Sequence, residues 1–443
     1  MPESDPARPE ENGMADGTPT QPAAPVPPPA QSVYRTVSKN TPRALRPILA
    51  LDDFEDAARR RLPRPLFGYI AGAVETNASR TDNRTVFGEW AFKPNYLIDV
   101  SRRSMKTTLF GEEFKAPFGI APMGISAIMA YRGDLVLARA AREAGLPMIM
   151  SGSSLIRMEE VAQEYPRAWF QAYLPGEPAR IEALVDRVAK AGFGTLLLTV
   201  DTTTLGNREN NVRTGFSTPL KPGLRLAWDG AIRPHWLWNT LFRTLRHHGM
   251  PHFENSYATR GAPIIARHVE RDFGARDHLN WSHFAQIRRQ WKGRLVVKGI
   301  LTGHDARRAA EEGADGVVVS NHGGRQLDGA ISAFRALPEV KASAGGMTVM
   351  MDGGVRRGTD VLKALAMGAD FVFVGRPFLY AAAVGGEAGV RHGIELLSSE
   401  VNRNVAFLGL QSPREIGMGH LVRVAGVPTP AEMAAALRGA APA

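Results

Sequence analysis

The chain of 443 residues contains no cysteine. This absence excludes disulfides, thiolate zinc sites, iron–sulfur clusters and cysteine nucleophiles together. The sequence also lacks any run of about 18 apolar residues, the length that a membrane-spanning helix needs. Its first 17 residues are polar and acidic, without the apolar core of a signal peptide. We therefore expect a cytoplasmic protein whose 44% hydrophobic content fills one large core or two modest ones.

The net charge of +10 does not come from one basic segment. The 54 lysines and arginines are scattered among 44 acidic residues, so the sequence does not favour a nucleic-acid partner. An anionic substrate, an anionic cofactor or a lipid surface fits this balance at least as well. His247 and His248 are adjacent rather than at ligand spacing, and we expect no metal site.

Composition divides the chain into three parts. Residues 1–35 are rich in Pro, Ala, Glu and Gly, and they bury too little apolar surface to fold, which predicts a disordered leader. Residues 45–425 carry a globular pattern, and residues 428–443 form an Ala-rich tail. Within the globular part, residues 202–290 interrupt the even spacing of elements. A connection of that length is usually a functional loop or a lid.

Eight nearly continuous apolar runs alternate with amphipathic helices in the globular part. Such runs are typical of parallel strands buried on both faces. Eight strand–helix units favour a closed (β/α)8 barrel, the TIM barrel of the α/β class, over an open doubly wound sheet. The predicted strands are Phe118–Ala121, Met148–Ser151, Ala168–Tyr173, Thr195–Asp201, Leu295–Gly299, Gly316–Asn321, Thr348–Gly353 and Phe371–Gly375. The predicted helices include Gly133–Ala144, Pro178–Ala191, Asp305–Glu312 and Thr359–Met367.

Polar residues follow five successive strands, at the ends where barrel enzymes carry their chemistry. The most informative stretch is Ser320–Asp328, which contains His322 and Arg325. A histidine can accept a proton near neutral pH, and an arginine can hold a carboxylate through two parallel hydrogen bonds. The pair suits a substrate with a hydroxyl or an amine beside a carboxylate. An isolated His-x-x-Arg would more simply be a polar surface loop.

The segment 224–252 combines aromatic and basic residues within the long connection. It contains Trp228, Trp236, Trp238 and Phe242 together with four arginines. This composition suits peripheral contact with a membrane interface. A lid or a subunit contact explains the same composition equally well, and the sequence leaves both interpretations open.

A set of motifs in a fixed order connects the chain to one enzyme family. The motifs are Asn83-Arg84 before Phe87, Leu-Thr-Val-Asp at 198–201, Val-Lys-Gly at 297–299, Ser-Asn-His-Gly-Gly-Arg-Gln-Leu-Asp at 320–328, Asp-Gly-Gly-Val-Arg-Arg-Gly at 352–358 and Val-Gly-Arg-Pro at 374–377. Over residues 45–425 the chain resembles the FMN-dependent L-2-hydroxy acid oxidases and dehydrogenases, with stretches most similar to mandelate dehydrogenase. The resemblance implies an FMN-binding TIM barrel, oxidation of a small 2-hydroxy acid, and a homotetramer.

The resemblance assigns the proton transfer to His322 as base and to Asp201 as the carboxylate paired with it. Without the resemblance, Asp201 would be interpreted as the N-cap of a helix after the fourth strand. Arg325 resembles the family's carboxylate clamp, and Arg208 a second, assisting arginine. Arg208 by itself would be a solvated charge.

The resemblance also implies which residues hold FMN. Backbone groups at a helix start and a guanidinium would cradle the phosphate after the seventh and eighth strands. Lys298 would stabilise the anionic reduced ring, whereas the alternative is a lysine that snorkels at a strand end. The implied ring contacts are Pro122, Met123, Gly124, Ser151, Gln171, Thr199, Lys298 and Ser320. The implied ribityl and phosphate contacts are Asp352, Gly353, Gly354, Arg356, Gly375 and Arg376.

Four further residues bear on the substrate. Tyr69 and Tyr173 resemble two tyrosines whose hydroxyls contact it, although each alone would more often pack a core. Gly124 and Ser153 stand where glycolate oxidase has alanine and a bulky aromatic residue, so both should widen the pocket. We expect a dehydrogenase acting on a lactate-sized or aromatic acid such as mandelate. An oxygen-using oxidase or monooxygenase of the family and a flavin-binding protein without turnover are the alternatives.

Overall fold

A computed structural model describes residues 41–217, 220, 223–266 and 276–424. The predicted leader, residues 1–35, and the predicted tail, residues 428–443, lie outside the described residues. Both therefore remain predictions.

Eight parallel strands form a closed barrel at the centre of the fold. They are β1 (Phe118–Ile120), β2 (Ile149–Ser151), β3 (Trp169–Ala172), β4 (Thr195–Thr199), β5 (Arg294–Ile300), β6 (Gly316–Val319), β7 (Thr348–Asp352) and β8 (Phe371–Val374). Ladder hydrogen bonds join them in the order β1-β8-β7-β6-β5-β4-β3-β2, and a single bridge between Ile120 and Met148 returns β1 to β2. The predicted TIM barrel is confirmed, and the open doubly wound sheet is wrong.

Helices that follow the strands cover the outside of the barrel. They are α1 (Gly133–Ala144), α2 (Met158–Glu164), α3 (Pro178–Lys190), α4 (Trp281–Gln290), α5 (Gly303–Glu311), α6 (Ala333–Ser343), α7 (Gly358–Ala366) and α8 (Arg376–Phe407). In α3 the buried residues Ile181, Leu184, Val185 and Val188 recur at helical spacing, so one stripe packs on the sheet. The backbone of α8 leaves the helical conformation at Gly386, where φ is 56°.

Shorter elements surround the barrel. Helices Asp53–Arg61, Arg64–Ala71 and Ala78–Thr85 precede it, and helix Ser126–Met129 lies between β1 and α1. Strand Trp90–Phe92 pairs antiparallel with Leu421–Arg423, and Thr107–Leu109 forms a hairpin with Glu112–Phe114. The 3₁₀ turns are Arg43–Leu45, Val86–Glu89, Pro413–Glu415 and Met418–His420. Of these elements, helix Arg64–Ala71 matters most for function, because it carries Tyr69 to the open end of the barrel.

The connection after β4 holds short helices rather than a structureless loop. The described ones are Glu209–Thr214, Leu224–Ala231, Pro234–Trp236, the π-helix Leu237–Phe242 and Arg243–His248. The predicted range 202–290 also includes the barrel helix α4, whose start is fixed by the Asn280 side chain accepting from the Ser282 amide at 2.9 Å. The other helices of the connection are interrupted by Gly223, Pro234 and Gly249. They are therefore too short to show a helical period in the sequence. Among the residues described, no helix is both long and apolar enough to cross a bilayer.

Candidate active site

A cavity opens at the carboxyl ends of the barrel strands. The predicted site residues that line it are Tyr69, Pro122, Met123, Gly124, Gln171, Tyr173, Thr199, Arg208, Lys298, His322, Arg325, Asp352, Gly353, Gly354, Arg356, Gly375 and Arg376. The remaining three, Ser151, Asp201 and Ser320, lie behind this lining and hydrogen-bond to residues in it. The fold therefore brings together residues from all eight strand ends and from helix Arg64–Ala71, while their roles remain predictions.

His322 is held in an unusual backbone conformation at the edge of the cavity. Its φ is 56°, and Gly323 and Gly324 follow with φ of 64° and 75°. A non-glycine residue in this left-handed region is uncommon and strained, and such strain is concentrated at functional sites. The turn brings His322 Nδ1 to 2.9 Å from Asp201 Oδ1 and Nε2 to 3.4 Å from the Tyr173 hydroxyl. Because the next helix begins only at Glu209, the interpretation of Asp201 as a helix N-cap is wrong.

The surroundings of this pair favour a neutral imidazole beside a charged carboxylate. Burial lowers the pKa of His322 against the opposing charge of Asp201, and Lys298 and Arg208 lower it further. Burial acts to raise the pKa of Asp201, but His322 and Lys298 outweigh it and hold that pKa below its usual value. Burial also raises the pKa of Tyr173, whose hydroxyl stays protonated. With Nδ1–H donated to Asp201, Nε2 is the ring atom able to accept a proton.

Arg325 presents part of its guanidinium to the cavity. Its Nη1 donates to the carbonyls of Tyr69 and Gly72, both at 2.8 Å. Its buried Nη2 has no hydrogen-bond partner among the described residues. Arg208 reaches the same loop, with Nη2 2.8 Å from Gln326 Oε1. An unpaired buried donor on a cation is costly, and a ligand carboxylate would satisfy it.

Cations outnumber anions along the cavity wall. The cations are Arg208, Lys298, Arg325, Arg356 and Arg376, and the carboxylate that lines it is Asp352. Burial lowers the pKa of Arg325 to about 10, and the charge of Arg208 adds to this shift. Burial lowers the pKa of Arg376 to about 9, with Arg325 contributing. Buried cations that depress one another's pKa indicate a cavity built for anionic ligands.

One carboxylate and one hydroxyl hold Lys298 at the end of β5. Lys298 Nζ lies 2.8 Å from Ser320 Oγ and 3.1 Å from Asp352 Oδ2, and Ser320 donates to Asp352 at 2.6 Å. Only 4% of Lys298 is exposed, so the alternative of a snorkelling lysine is wrong. The ammonium is therefore a fixed positive charge inside the cavity.

Besides Arg325 Nη2, two further polar atoms in the lining lack hydrogen-bond partners within the described part of the chain. Gln171 Nε2 and Thr199 Oγ1 are buried without a hydrogen bond among the described residues, while Ser151 Oγ holds Gln171 Oε1 at 3.1 Å. Buried polar atoms are normally satisfied, so these two predict a ligand with hydrogen-bonding edges. The polar edge of a flavin ring fits this donor set.

A second anion-binding arrangement follows β7 and β8. Gly353 and Gly354 have φ of 102° and 82°, and a Cβ on Gly354 would lie 1.8 Å from the Asn83 carbonyl oxygen. Only glycine fits there. Gly375 immediately precedes α8, so the amides of that helix start lie beside Arg356 and Arg376. Amide donors at a helix start together with two guanidinium groups suit a phosphate.

Several lining residues were missed by sequence analysis. Phe216 packs on Tyr69 with ring centroids 4.6 Å apart. Arg276 is not part of the lining but contacts it, since its guanidinium lies 5.3 Å from the Tyr173 ring centroid. Gln326 could have been found, since it follows Arg325 within the Ser320–Asp328 motif. The other missed lining residues include Thr202, Thr204, Leu205 and Asn211. These belong to the connection after β4, where no motif marks them.

Comparison with known proteins agrees with this chemistry. Residues 58–423 match the family model of the FMN-dependent dehydrogenases. The chain therefore belongs to this family, and the protein is an FMN-dependent oxidoreductase that acts on CH–OH donors. The family resemblance inferred from the motifs is confirmed, as are the cofactor and the enzyme class.

Individual relatives narrow the class. The chain is 36% identical to (S)-mandelate dehydrogenase of Pseudomonas putida over 366 residues, covering 81% of this chain and 90% of that one. It is 38% identical to an L-lactate dehydrogenase of Stenotrophomonas maltophilia over 383 residues, covering 85% and 99%. A crystal structure of the monotopic membrane protein (S)-mandelate dehydrogenase is similar with a TM-score of 0.77 at 34% identity, covering 84% and 99%. The protein is thus a member of the 2-hydroxy acid dehydrogenase family.

Proposed function

We propose that the protein oxidises an L-2-hydroxy acid to the corresponding 2-oxo acid, with FMN as the first electron acceptor. The observation that carries this proposal is the shared cavity of His322, paired with Asp201, and Arg325, whose Nη2 has no partner among the residues that the structure describes. A base and a carboxylate clamp on one cavity wall match the two functional groups of a 2-hydroxy acid.

The clamp orients the substrate. The substrate carboxylate would accept from Arg325, and Arg208 would add a second positive charge. The hydroxyls of Tyr69 and Tyr173 are proposed to hydrogen-bond to the same substrate. This arrangement would direct the hydroxyl-bearing carbon toward His322 and would select one enantiomer.

The proton transfer uses the His322–Asp201 pair. Oxidation of the alcohol removes two electrons and two protons, and bound FMN would accept the electron pair together with one of the protons. His322 Nε2 would accept a proton from the substrate, and the carboxylate of Asp201 would stabilise the resulting imidazolium. Lys298, fixed by Asp352 and Ser320, would offset negative charge that develops at the cofactor.

The FMN contacts are proposed from the fit of this lining. Gln171, Thr199 and Ser151 would bind the polar edge of the ring, and Pro122, Met123 and Gly124 would lie against it. Asp352 would bind the ribityl chain. Gly353, Gly354, Arg356, Gly375 and Arg376 would hold the phosphate.

The substrate side chain is proposed to be lactate-sized or aromatic. A Cβ on Gly124 would lie 3.0 Å from Ser153 Cβ and 3.5 Å from the Tyr69 hydroxyl, so glycine keeps this part of the cavity open. The names of the relatives, mandelate and lactate dehydrogenases, support the same range. We propose a dehydrogenase rather than an oxygen-using oxidase, and because mandelate oxidases are also among the similar solved structures, reoxidation of the flavin decides between the two.

The direct test is the absorbance of the purified protein. We expect a yellow protein whose flavin bleaches anaerobically with L-mandelate or L-lactate and not with the D-enantiomers. A yellow protein that no 2-hydroxy acid reduces would contradict turnover and favour flavin binding alone. Stopped-flow reoxidation by oxygen against a quinone then identifies the acceptor, with the quinone expected to be faster.

A peripheral membrane contact is proposed for segment 224–252. Trp228 and Trp238 are 67% and 59% exposed, and Leu224 and Phe242 are exposed beside them. Trp236 differs, because it is buried and donates from Nε1 to the Ile128 carbonyl at 2.7 Å. Exposed tryptophans on short helices are typical of interfacial anchors, and the similar mandelate dehydrogenase is a monotopic membrane protein.

We propose a homotetramer in the cytoplasm, at the inner face of the membrane.

The membrane contact can be tested with Trp228→Ser combined with Trp238→Ser. We expect the double variant to lose sedimentation with phosphatidylglycerol vesicles and to keep its activity. Tyr96→Ser, at another exposed aromatic side chain, is the control and should sediment like the unmodified protein. Unchanged sedimentation with a smaller oligomer would instead favour a subunit contact.

A further inference from the structure

Two loops meet along one side of the cavity. The β1–α1 loop contributes Gly124 to the lining, and the β2–α2 loop contributes Ser153. The loops touch, since the Ile125 amide donates to the Ser153 carbonyl at 3.1 Å. Their separation sets the width available to a substrate side chain at this point.

The first of these loops is strained. Ile125 has φ of 50°, which is an outlier for a β-branched residue. A Cβ on Gly133, at the start of α1, would lie 2.3 Å from the Ser126 carbonyl oxygen, so the chain is tightly folded just beyond the strained residue. Strain of this kind persists only where surrounding contacts fix the conformation.

A buried carboxyl lies between the two loops. Asp134, in the first turn of α1, is 1% exposed, and Ser126 Oγ donates to its Oδ2 at 2.5 Å. Burial raises the pKa of Asp134 to about 6, and hydrogen bonds from Ser126 and Ser154 oppose that rise. Ser126 belongs to the β1–α1 loop and Ser154 to the β2–α2 loop. The carboxyl therefore holds the first loop at Ser126, and Ser154, which lowers the pKa of the same carboxyl, holds the second loop by accepting from the Ile156 amide at 3.0 Å.

The connection after β4 is tied to the same place. Asn255 is 1% exposed, donates from Nδ2 to the carbonyls of Ser154 at 3.3 Å and Ile156 at 2.6 Å, and accepts from the Met158 amide at 2.9 Å. Its single side chain thus replaces three hydrogen bonds that water would otherwise supply to the β2–α2 loop. None of these atoms belongs to the catalytic pair or to the proposed FMN contacts.

We infer that Asp134 and Asn255 are positioning residues, which fix the separation of the Gly124 and Ser153 loops and thereby determine which substrate side chains the cavity accepts. The inference rests on the proposed function, because it concerns the substrate of the same site. Neither residue contacts the substrate. Asp134 acts through Ser126 in the first loop, and Asn255, from the connection after β4, acts through the backbone of the second loop at Ser154 and Ile156.

The test compares kcat/KM for L-mandelate with kcat/KM for L-lactate. Asp134→Ala should lower the mandelate-to-lactate ratio by about tenfold, the size of effect that a changed pocket wall produces, mainly through KM for mandelate. Asp134→Asn, which keeps an acceptor for one serine, should restore part of the ratio. Asn255→Ala should change the ratio in the same direction. Affinity for benzoylformate relative to pyruvate, measured from flavin absorbance, should change in parallel without turnover.

Two controls separate positioning from general loss of stability. Asp315→Ala removes a carboxylate that joins β5 and β6 at the other end of the barrel, where it accepts from the Leu295 amide at 2.7 Å. It should lower stability and leave the ratio unchanged. If Asp134→Ala does not fold, Ser154→Ala carries the test with the same expected direction.

An unchanged ratio in folded, FMN-bound Asp134→Ala and Asn255→Ala would overturn the inference. So would an equal loss for both substrates that Asp315→Ala reproduces. Absence of any 2-hydroxy acid turnover in the unmodified enzyme would instead contradict the proposed function, so the two failures can be told apart.

Discussion

The two ends of the barrel differ in how their polar and charged groups are paired, although the same strands form both. At the amino end, the hairpin of residues 107–114 closes the barrel, and Leu109 and Phe114 pack with interior residues such as Phe371. The charges there are paired: Glu112 accepts from Arg167 at 2.9 Å and from Arg294 at 2.6 Å. Burial acts to raise the pKa of Glu112, but these two arginines hold it below its usual value.

At the carboxyl end, by contrast, the protein does not balance the charges of its own lining. Cations outnumber anions in the lining, Gln171 and Arg325 each keep a buried donor without a partner among the described residues, and His322 occupies a strained conformation. The difference shows that uncompensated positive charge, rather than polarity as such, distinguishes a site from a stabilising network. Variants at the carboxyl end should therefore affect chemistry, and variants at the amino end should affect stability.

The largest loss is expected for His322→Gln. Removing the base should slow anaerobic flavin reduction by roughly 10²–10⁴-fold while FMN stays bound. Rapid-mixing absorbance measures this rate. His392→Gln is the control, because His392 is a buried histidine on the outside of the barrel whose Nε2 bonds to the Ile48 carbonyl at 2.8 Å. A near-normal rate of flavin reduction in His322→Gln would contradict the assignment of His322 as the base.

A smaller loss is expected for Arg325→Lys. Lysine keeps the charge but cannot donate to the Tyr69 and Gly72 carbonyls while also holding a carboxylate, so kcat/KM should fall by roughly 100-fold. Steady-state kinetics with either acid measures it. Arg335→Lys, at an exposed ion-pair cluster with Asp82, should change kcat/KM very little. Equal effects of the two substitutions would contradict the clamp.

The pH dependence tests the pairing of His322 with Asp201. The base must be neutral, so kcat/KM should fall as pH drops through a pKa below the ordinary value for histidine, because burial lowers the pKa of His322. The charge of Asp201 raises that pKa, so Asp201→Asn should move the acidic limb to still lower pH, with a lower plateau. A limb that moves to higher pH would contradict the pairing.

The smallest effect on turnover is expected at the amino end. Phe114→Ala removes a fully buried ring and should lower the free energy of unfolding by about 3–5 kcal/mol, measured by urea denaturation. The kcat of the folded fraction should stay close to normal. A kcat loss comparable to that of Arg325→Lys would break the distinction between the two ends.

The sequence predicted features that are local in the chain. The eight strands appear within two residues of their predicted ends, because strands buried on both faces leave continuous apolar runs. The His322 and Gly353–Gly354 turns were found for the same reason, since each is one contiguous motif. The predicted roles of those residues are still untested.

Features built from distant segments could not be predicted. The bonds from Asn255 to Ser154, Ile156 and Met158 span 97 to 101 residues and leave no periodic or compositional signal. The short helices of segment 224–252 were also missed, because Pro234 and the surrounding glycines interrupt any period. The burial of Trp236 and the exposure of Trp228 and Trp238 depend on how that segment packs, which composition does not specify.

β1 and β2 are joined by an isolated bridge between Ile120 and Met148 rather than by a ladder, so this seam is the weakest strand pairing in the barrel. Neighbouring pairs such as β4 and β5 share a long ladder, so thermal fluctuations should part the ring first at this seam. Amide protons of β1 and β2 would then exchange with solvent sooner than those of β4 and β5. A ligand that contacts both β1 and β2 would hold these strands together, so its binding free energy would stabilise the closed ring.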